Sequence, residues 1–86
     1  MDEHFILYGE IINISYQQDL KRIKYKFRDR ETTYHIKLYE ECDTYNNYVI
    51  IRKNINFDNF FKIIYNKEGK IISIDRLELN CNCIII

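Results

Sequence analysis

Between Ile23 and Leu38 the chain alternates apolar and polar residues in two runs, broken only by Asp29-Arg30-Glu31-Thr32. No other feature limits the possible folds as tightly. Alternation at period two separates a core face from a solvent face only in extended backbone. The four-residue break is rich in turn formers, so the two runs are read as a hairpin. One register sets Phe27 against Tyr34, Tyr25 against Ile36 and Ile23 against Leu38 on one side. On the other it sets Arg28 against Thr33, Lys26 against His35, Lys24 against Lys37 and Arg22 against Tyr39. A slip of one residue would drive cations into the core, so the division into faces is strongly specified.

The remaining segments extend the same picture. His4 to Tyr16 is rich in strand formers, with Gly9 in the middle. Phe5, Leu7 and Ile11 share one parity, while Ile12, Ile14 and Tyr16 share the other. A bulge near Gly9 and Glu10 would bring both sets to one side of a strongly curved strand. Glu40 to Asn47 reads as a polar loop and Tyr48 to Lys53 as a short strand. Asn66-Lys67-Glu68-Gly69-Lys70 supplies a second hairpin, with Asn opening a type I turn and Gly taking the left-handed position. That hairpin would pair Ile63 with Ile72 and Phe61 with Ile74. A rival reading makes 56–66 a short helix, because Phe57, Phe60, Phe61, Ile64 and Tyr65 recur at helical spacing behind Asn56. Weak helix propensity of Phe, Ile, Tyr and Asn favours the hairpin. The tail from Leu77 to Ile85 alternates again and reads as a last strand.

The expected architecture is therefore mainly β. A single domain over 1–86 would hold one strongly bent antiparallel sheet, or a small open barrel or sandwich, of five to seven strands. The one short helix it has room for is the alternative at 56–66. A long bent first strand before a tight hairpin suits an OB- or SH3-like barrel, an analogy of fold that carries no functional weight. Stability should be modest, since a chain of 86 residues buries only roughly 60–65% of its unfolded surface.

Charge and motifs bound the function. Lys plus Arg and Asp plus Glu number 13 each, so net charge argues neither for nucleic acid nor for membrane. Distribution is another matter. Arg22, Lys24, Lys26 and Arg28 project from one strand face, His35 and Lys37 widen the row from the partner strand, and Tyr39 sits at its edge. Successive cations on one face stand ~6.6–7 Å apart, near the spacing of phosphates along a nucleic-acid strand. Lys24 against Lys37 costs up to about 1 kcal/mol of like-charge repulsion, which folding alone would not select. These seven residues are the candidate partner-binding site. A solvated strand face whose lysines deter aggregation is the plainer alternative, as is neutralisation by Glu40, Glu41, Asp43, Asp75 or Glu78.

Other chemistry has less to stand on. Cys81 and Cys83, with Cys42, His4 and His35 elsewhere, lack the paired spacing of a structural zinc site, and strand alternation already accounts for them. No metal or cofactor is expected. Cys83-Ile84-Ile85-Ile86 formally matches a prenylation box, with the wrong final residue and no basic tract before it. No nucleophile elbow, phosphate-binding loop, dinucleotide fingerprint or zinc-protease motif occurs, so no enzyme is expected. An acidic N-terminus and the lack of any ~18-residue apolar run point to a cytoplasmic chain with no membrane association. If phage-encoded, that cytoplasm would be the host's. Apolar pairs such as Ile50-Ile51, Ile63-Ile64 and Ile71-Ile72 would face both sides of a strand, which makes a homodimer one expectation.

Isoleucine occurs 17 times and asparagine nine, with no alanine or proline, a bias that follows A/T-rich codons. It suits low-GC bacteria and their phages and plasmids. Together these features predict a non-enzymatic interaction protein that occludes an anionic partner, either an acidic protein surface or nucleic acid. A mobile-element inhibitor of a host defence nuclease, of the anti-CRISPR kind, is the narrowest form of that expectation. A single-stranded nucleic-acid-binding barrel and a homo-oligomeric accessory protein are the alternatives.

Overall fold

The computed structural model describes residues 3–57 and 59–77. Five antiparallel strands form one sheet: β1 (His4–Gln17), β2 (Arg22–Asp29), β3 (His35–Glu41), β4 (Phe60–Asn66) and β5 (Ile71–Arg76). A short helix, α1 (Tyr45–Asn54), connects β3 to β4. The order across the sheet is β3-β2-β1-β4-β5. The two edge strands approach each other at a parallel bridge between Tyr39 and Lys70, where the Tyr39 N–H donates to the Gly69 carbonyl at 2.9 Å. The sheet therefore curls until its edges touch at one end, leaving a partly open barrel.

The long first strand makes this curl. Residues 4–10 of β1 pair with β4, residues 9–17 pair with β2, and only Gly9 and Glu10 carry partners on both sides. The register with β2 shifts between Ile11 and Asn13, so the bulge falls on Ile12, two or three residues beyond the expected position. Its effect is the expected one for Leu7, Ile11 and Ile14, but not for Ile12 and Phe5, which stay 40% and 41% exposed. Leu7 and Ile11 before the bulge, and Ile14 after it, are all buried on one side. With Ile23, Tyr25, Phe27, Leu38, Cys42, Phe61, Ile63 and Ile71 they form the core. Gly9 lies at the end of the β1–β2 ladder, close against the Arg28 backbone. A Cβ built there would stand 2.3 Å from the Arg28 carbonyl oxygen, inside any tolerable contact.

Both hairpins exist, and both are registered two residues away from expectation along most of their length. In the β2–β3 ladder Phe27 faces Ile36, Tyr25 faces Leu38 and Ile23 faces Glu40. The shift is even, so the paired side chains keep their faces, but Tyr34, expected in the core opposite Phe27, falls outside the ladder and is 73% exposed. Its cause is the turn. The Asp29 N–H donates to Tyr34 O at 2.8 Å, which makes Asp29 the last paired residue and leaves Arg30–Thr33 as the loop. The Asp29 carboxylate accepts from the Glu31 and Thr32 backbone amides at 2.8 and 3.0 Å, the role Asp plays at the first position of a type I turn. Those two N–H groups, Thr32's foremost, hold the carboxyl below its ordinary pKa. Thr33 closes the loop with φ 62°, a left-handed conformation that a β-branched residue rarely takes. In the second hairpin Asn66 and Gly69 perform as read: Asn66 Oδ1 accepts from the Glu68 and Lys70 amides, and Gly69 sits at φ 86°. A bulge between the turn and Ser73 then sets Ile63 against Ile74 and Phe61 against Arg76, and leaves Ile72 49% exposed.

The helix is where the sequence misled. Residues 40–47 are not a polar loop and 48–53 are not a strand. β3 continues to Glu41, and α1 starts behind Thr44, whose hydroxyl accepts from the Asn47 N–H at 3.1 Å. Tyr48, Ile51 and Ile55, at helical spacing, pack against the core. Tyr16 anchors this corner: its hydroxyl donates to Cys42 O at 2.9 Å and its ring stacks on Tyr48. The β-propensity of Val49-Ile50-Ile51 is overridden by a cap and a single docking stripe, at the expense of an exposed Ile50. The alternative helix at 56–66 is likewise overturned, because Phe60–Asn66 is β4. Most of the expected last strand, with Cys81, Cys83 and the prenylation-box match, lies outside the described residues.

Gly9→Ala tests the close packing. Its methyl group meets backbone rather than a movable side chain, so the substitution should cost about 2–3 kcal/mol or more in urea unfolding. A loss under about 0.5 kcal/mol would show that the strands do not approach this closely.

Candidate anionic-partner interface

Every residue of the expected patch lies on the outer face of the sheet. The ladder alternates, and buried Ile23, Tyr25, Phe27 and Leu38 take the other side. Reading across the outer face, Glu41, Arg22 and Gln17 form one row, and Tyr39, Lys24 and Ser15 the next. Lys37, Lys26 and Asn13 follow, then His35, Arg28 and Glu10. The even register shift changes the neighbours but not the members. The like-charged pair directly across the ladder is Lys26–Lys37 rather than Lys24–Lys37, and Lys24 faces Tyr39.

These positive groups differ in how much of their charge is already met. Arg28 is not available as expected, because its guanidinium pairs with Glu10 from β1. Arg22 is held by geometry rather than by charge. Its Nε donates to Gln17 Oε1 at 2.7 Å, and its guanidinium lies 4.5 Å from the centre of the Tyr39 ring. Glu41, across from Arg22, is bridged by Lys70 at 3.3 Å. Lys24, Lys26 and Lys37 have no carboxylate partner among the described residues. They line a shallow hollow of about 200 Å³ together with Asn13, Ser15 and Tyr25. The hollow joins three ammonium groups, an amide and a hydroxyl, a donor set suited to phosphate or carboxylate oxygens.

Asn13 and Ser15 were missed from sequence. Only the bulge at Ile12, beyond the Gly9-Glu10 position that the sequence suggests, reveals that they share the outer face with the lysines. Arg30 also extends the patch. Its N–H donates to Tyr8 O, continuing the β1–β2 ladder, and its guanidinium stands 5.1 Å from the Phe60 ring centre. Beyond it the same face turns apolar, with Ile6 opposite Ile64 and an exposed Tyr8 opposite Lys62. On the inner side Tyr25 donates to Glu40 at 2.6 Å, and burial, then that hydrogen bond, push its phenol far above the usual range. Its hydroxyl is thus committed to Glu40, although Tyr25 also borders the hollow.

No group of three or more metal-binding side chains occurs among the described residues. No helix among them is long and apolar enough to cross a membrane. Comparison with protein-family models, with curated proteins and with solved structures finds no match to this chain.

A surface serving stability alone would relieve Lys26 opposite Lys37. Lys37→Glu makes an opposite-charge pair there and should raise stability by about 0.5–1 kcal/mol. The same substitution should weaken binding of a polyanion. Urea unfolding and a binding titration on the one variant measure both, and a stability loss would contradict this reading of the face.

Proposed function

We propose that this chain is a non-catalytic binding module whose outer β2–β3 face docks an extended polyanion. The observation that carries the reading is the hollow ringed by Lys24, Lys26 and Lys37, three cations that no described carboxylate neutralises. Asn13 and Ser15 add neutral donors to its floor. Arg22, fixed over Tyr39, adds a fourth positive group at one border. Arg28 contributes less than the sequence suggested, since Glu10 cancels its charge.

Topology lends support. The order β3-β2-β1-β4-β5, with its edge strands meeting, is that of a partly open five-stranded barrel. OB-folds are barrels of this architecture, and they bind oligonucleotides and oligosaccharides on the face of strands 2 and 3, flanked by the loops joining strands 1–2 and 4–5. The cationic hollow falls on the corresponding face. Architecture alone assigns no ligand, so the weight stays on the side chains. Occlusion of an acidic protein surface would use the same lysines, and the narrower inhibitor reading rests on composition alone. A homodimer would draw on the separate Ile6, Tyr8 and Ile64 stripe.

Fluorescence anisotropy with a labelled 12-residue oligothymidylate, competed by inorganic polyphosphate and by polyglutamate, tests the docking. Binding should weaken with salt, with a log–log slope of about −2 to −3 for three or four neutralised phosphates on a single strand. Lys24→Glu/Lys26→Glu should reduce affinity at least tenfold, about 1.4 kcal/mol. If none of the three polyanions binds at low salt, the proposal fails.

A further inference from the structure

The outer face carries two more features that charge attraction alone does not require. At one corner the Arg22 guanidinium covers one side of the Tyr39 ring at 4.5 Å. At the diagonally opposite corner Arg30 covers the Phe60 ring at 5.1 Å, and Tyr8, 44% exposed, stands next to Arg30 in the ladder. Each is a planar cation paired with an aromatic ring, on the same side of the sheet as the lysine hollow. Such platforms suit the faces of nucleobases, which stack on aromatic and guanidinium planes whatever their sequence. Acidic peptides and simple polyphosphates have no flat rings to place there.

Their separation sets a length. Tyr39 and Phe60 lie on β3 and β4, three strands apart, in rows four residues apart along β2. Followed along the curved outer surface, strand spacing and rise put that diagonal on the order of 20 Å. At roughly 6–7 Å per nucleotide in an extended strand, it spans about three to four nucleotides. The lysine hollow lies between the platforms, where the intervening phosphates would pass. A duplex offers no free base faces to either corner.

From this geometry we infer that the polyanion is single-stranded nucleic acid, held over about three to four nucleotides. Its phosphates run through the Lys24–Lys26–Lys37 hollow, and a base at each end stacks on the Arg22–Tyr39 and Arg30–Phe60 platforms. This rests on the polyanion reading above and goes beyond it by naming the ligand and its footprint.

The experiment compares four labelled ligands by anisotropy against the full chain: oligothymidylate of 12 residues, an abasic strand of equal length, a 12-base-pair duplex and polyglutamate. Oligothymidylate should bind at least tenfold more tightly than each of the other three. Shortening it should preserve affinity, apart from the loss of overlapping sites, until four residues and sharply reduce it at two. Tyr39→Ala and Phe60→Ala should each lower oligothymidylate affinity about tenfold and leave abasic binding unchanged. Arg22→Gln and Arg30→Gln, which do not cut into packed rings, should reproduce the direction of those losses. Equal binding of thymidylate and abasic strands overturns the stacking inference while the polyanion reading stands. Equal or tighter binding of duplex or polyglutamate overturns the single-strand assignment in the same way. Absence of binding by every ligand at low salt overturns both.

Discussion

β1 is shared by two halves of the sheet, and the close backbone packing at Gly9 accommodates that sharing. The N-terminal half of the strand belongs to β4, the C-terminal half to β2, and both partners are present only at Gly9 and Glu10. A flat strand would give a flat sheet with two free edges. Here the close approach to Arg28 and the bulge at Ile12 turn the strand by adding local twist, which is how open sheets begin to close. The edges then meet at Tyr39 and Lys70, and one set of side chains forms a core while the other is pushed outward on a curved surface. The lysine hollow exists because this curvature places Asn13 and Ser15 beside Lys24 and Lys26.

Much of this was legible in the residues. Strict alternation from Ile23 to Leu38 settled which side chains share a face, because parity errors bury charge. It did not settle which pairs of residues oppose each other, since a shift of two is nearly free in the hydrophobic pattern. That choice fell to Asp29, whose carboxylate fixes the turn one residue later than the polar run suggests and leaves Thr33 to take a conformation usual for glycine. The signal was present in an Asp at the head of the loop, but a Thr at its end concealed it. At α1 the local signals conflicted. Val49-Ile50-Ile51 favours a strand, and Thr44 with the Tyr48, Ile51 and Ile55 spacing favours a helix. The docking of that stripe beside Tyr16 decided the outcome, and no local scale contains that information.

The site was legible in membership and illegible in charge balance. Alternation alone put Arg22, Lys24, Lys26, Arg28, His35, Lys37 and Tyr39 on one face. Whether a carboxylate met them depended on β1, whose outward residues could not be assigned without the bulge. Glu10 reaches Arg28 and removes it from the available charge, while Asn13 and Ser15 reach the lysines and leave theirs intact. Sequences that fold for stability alone avoid like charges directly across a ladder. Lys26 against Lys37, on the edge ladder of an otherwise consistent sheet, is such a local conflict, and the proposed docking would give it a reason.

Backbone amide shifts during titration of the full chain with a four-residue oligothymidylate at low salt test most directly whether this face is the docking surface. The account predicts saturating shifts at Asn13, Ser15, Lys24, Lys26, Lys37 and Tyr39, with α1 and the exposed side of β5 unchanged. Shifts confined to α1 or β5, or a spectrum that does not move at all, would contradict it.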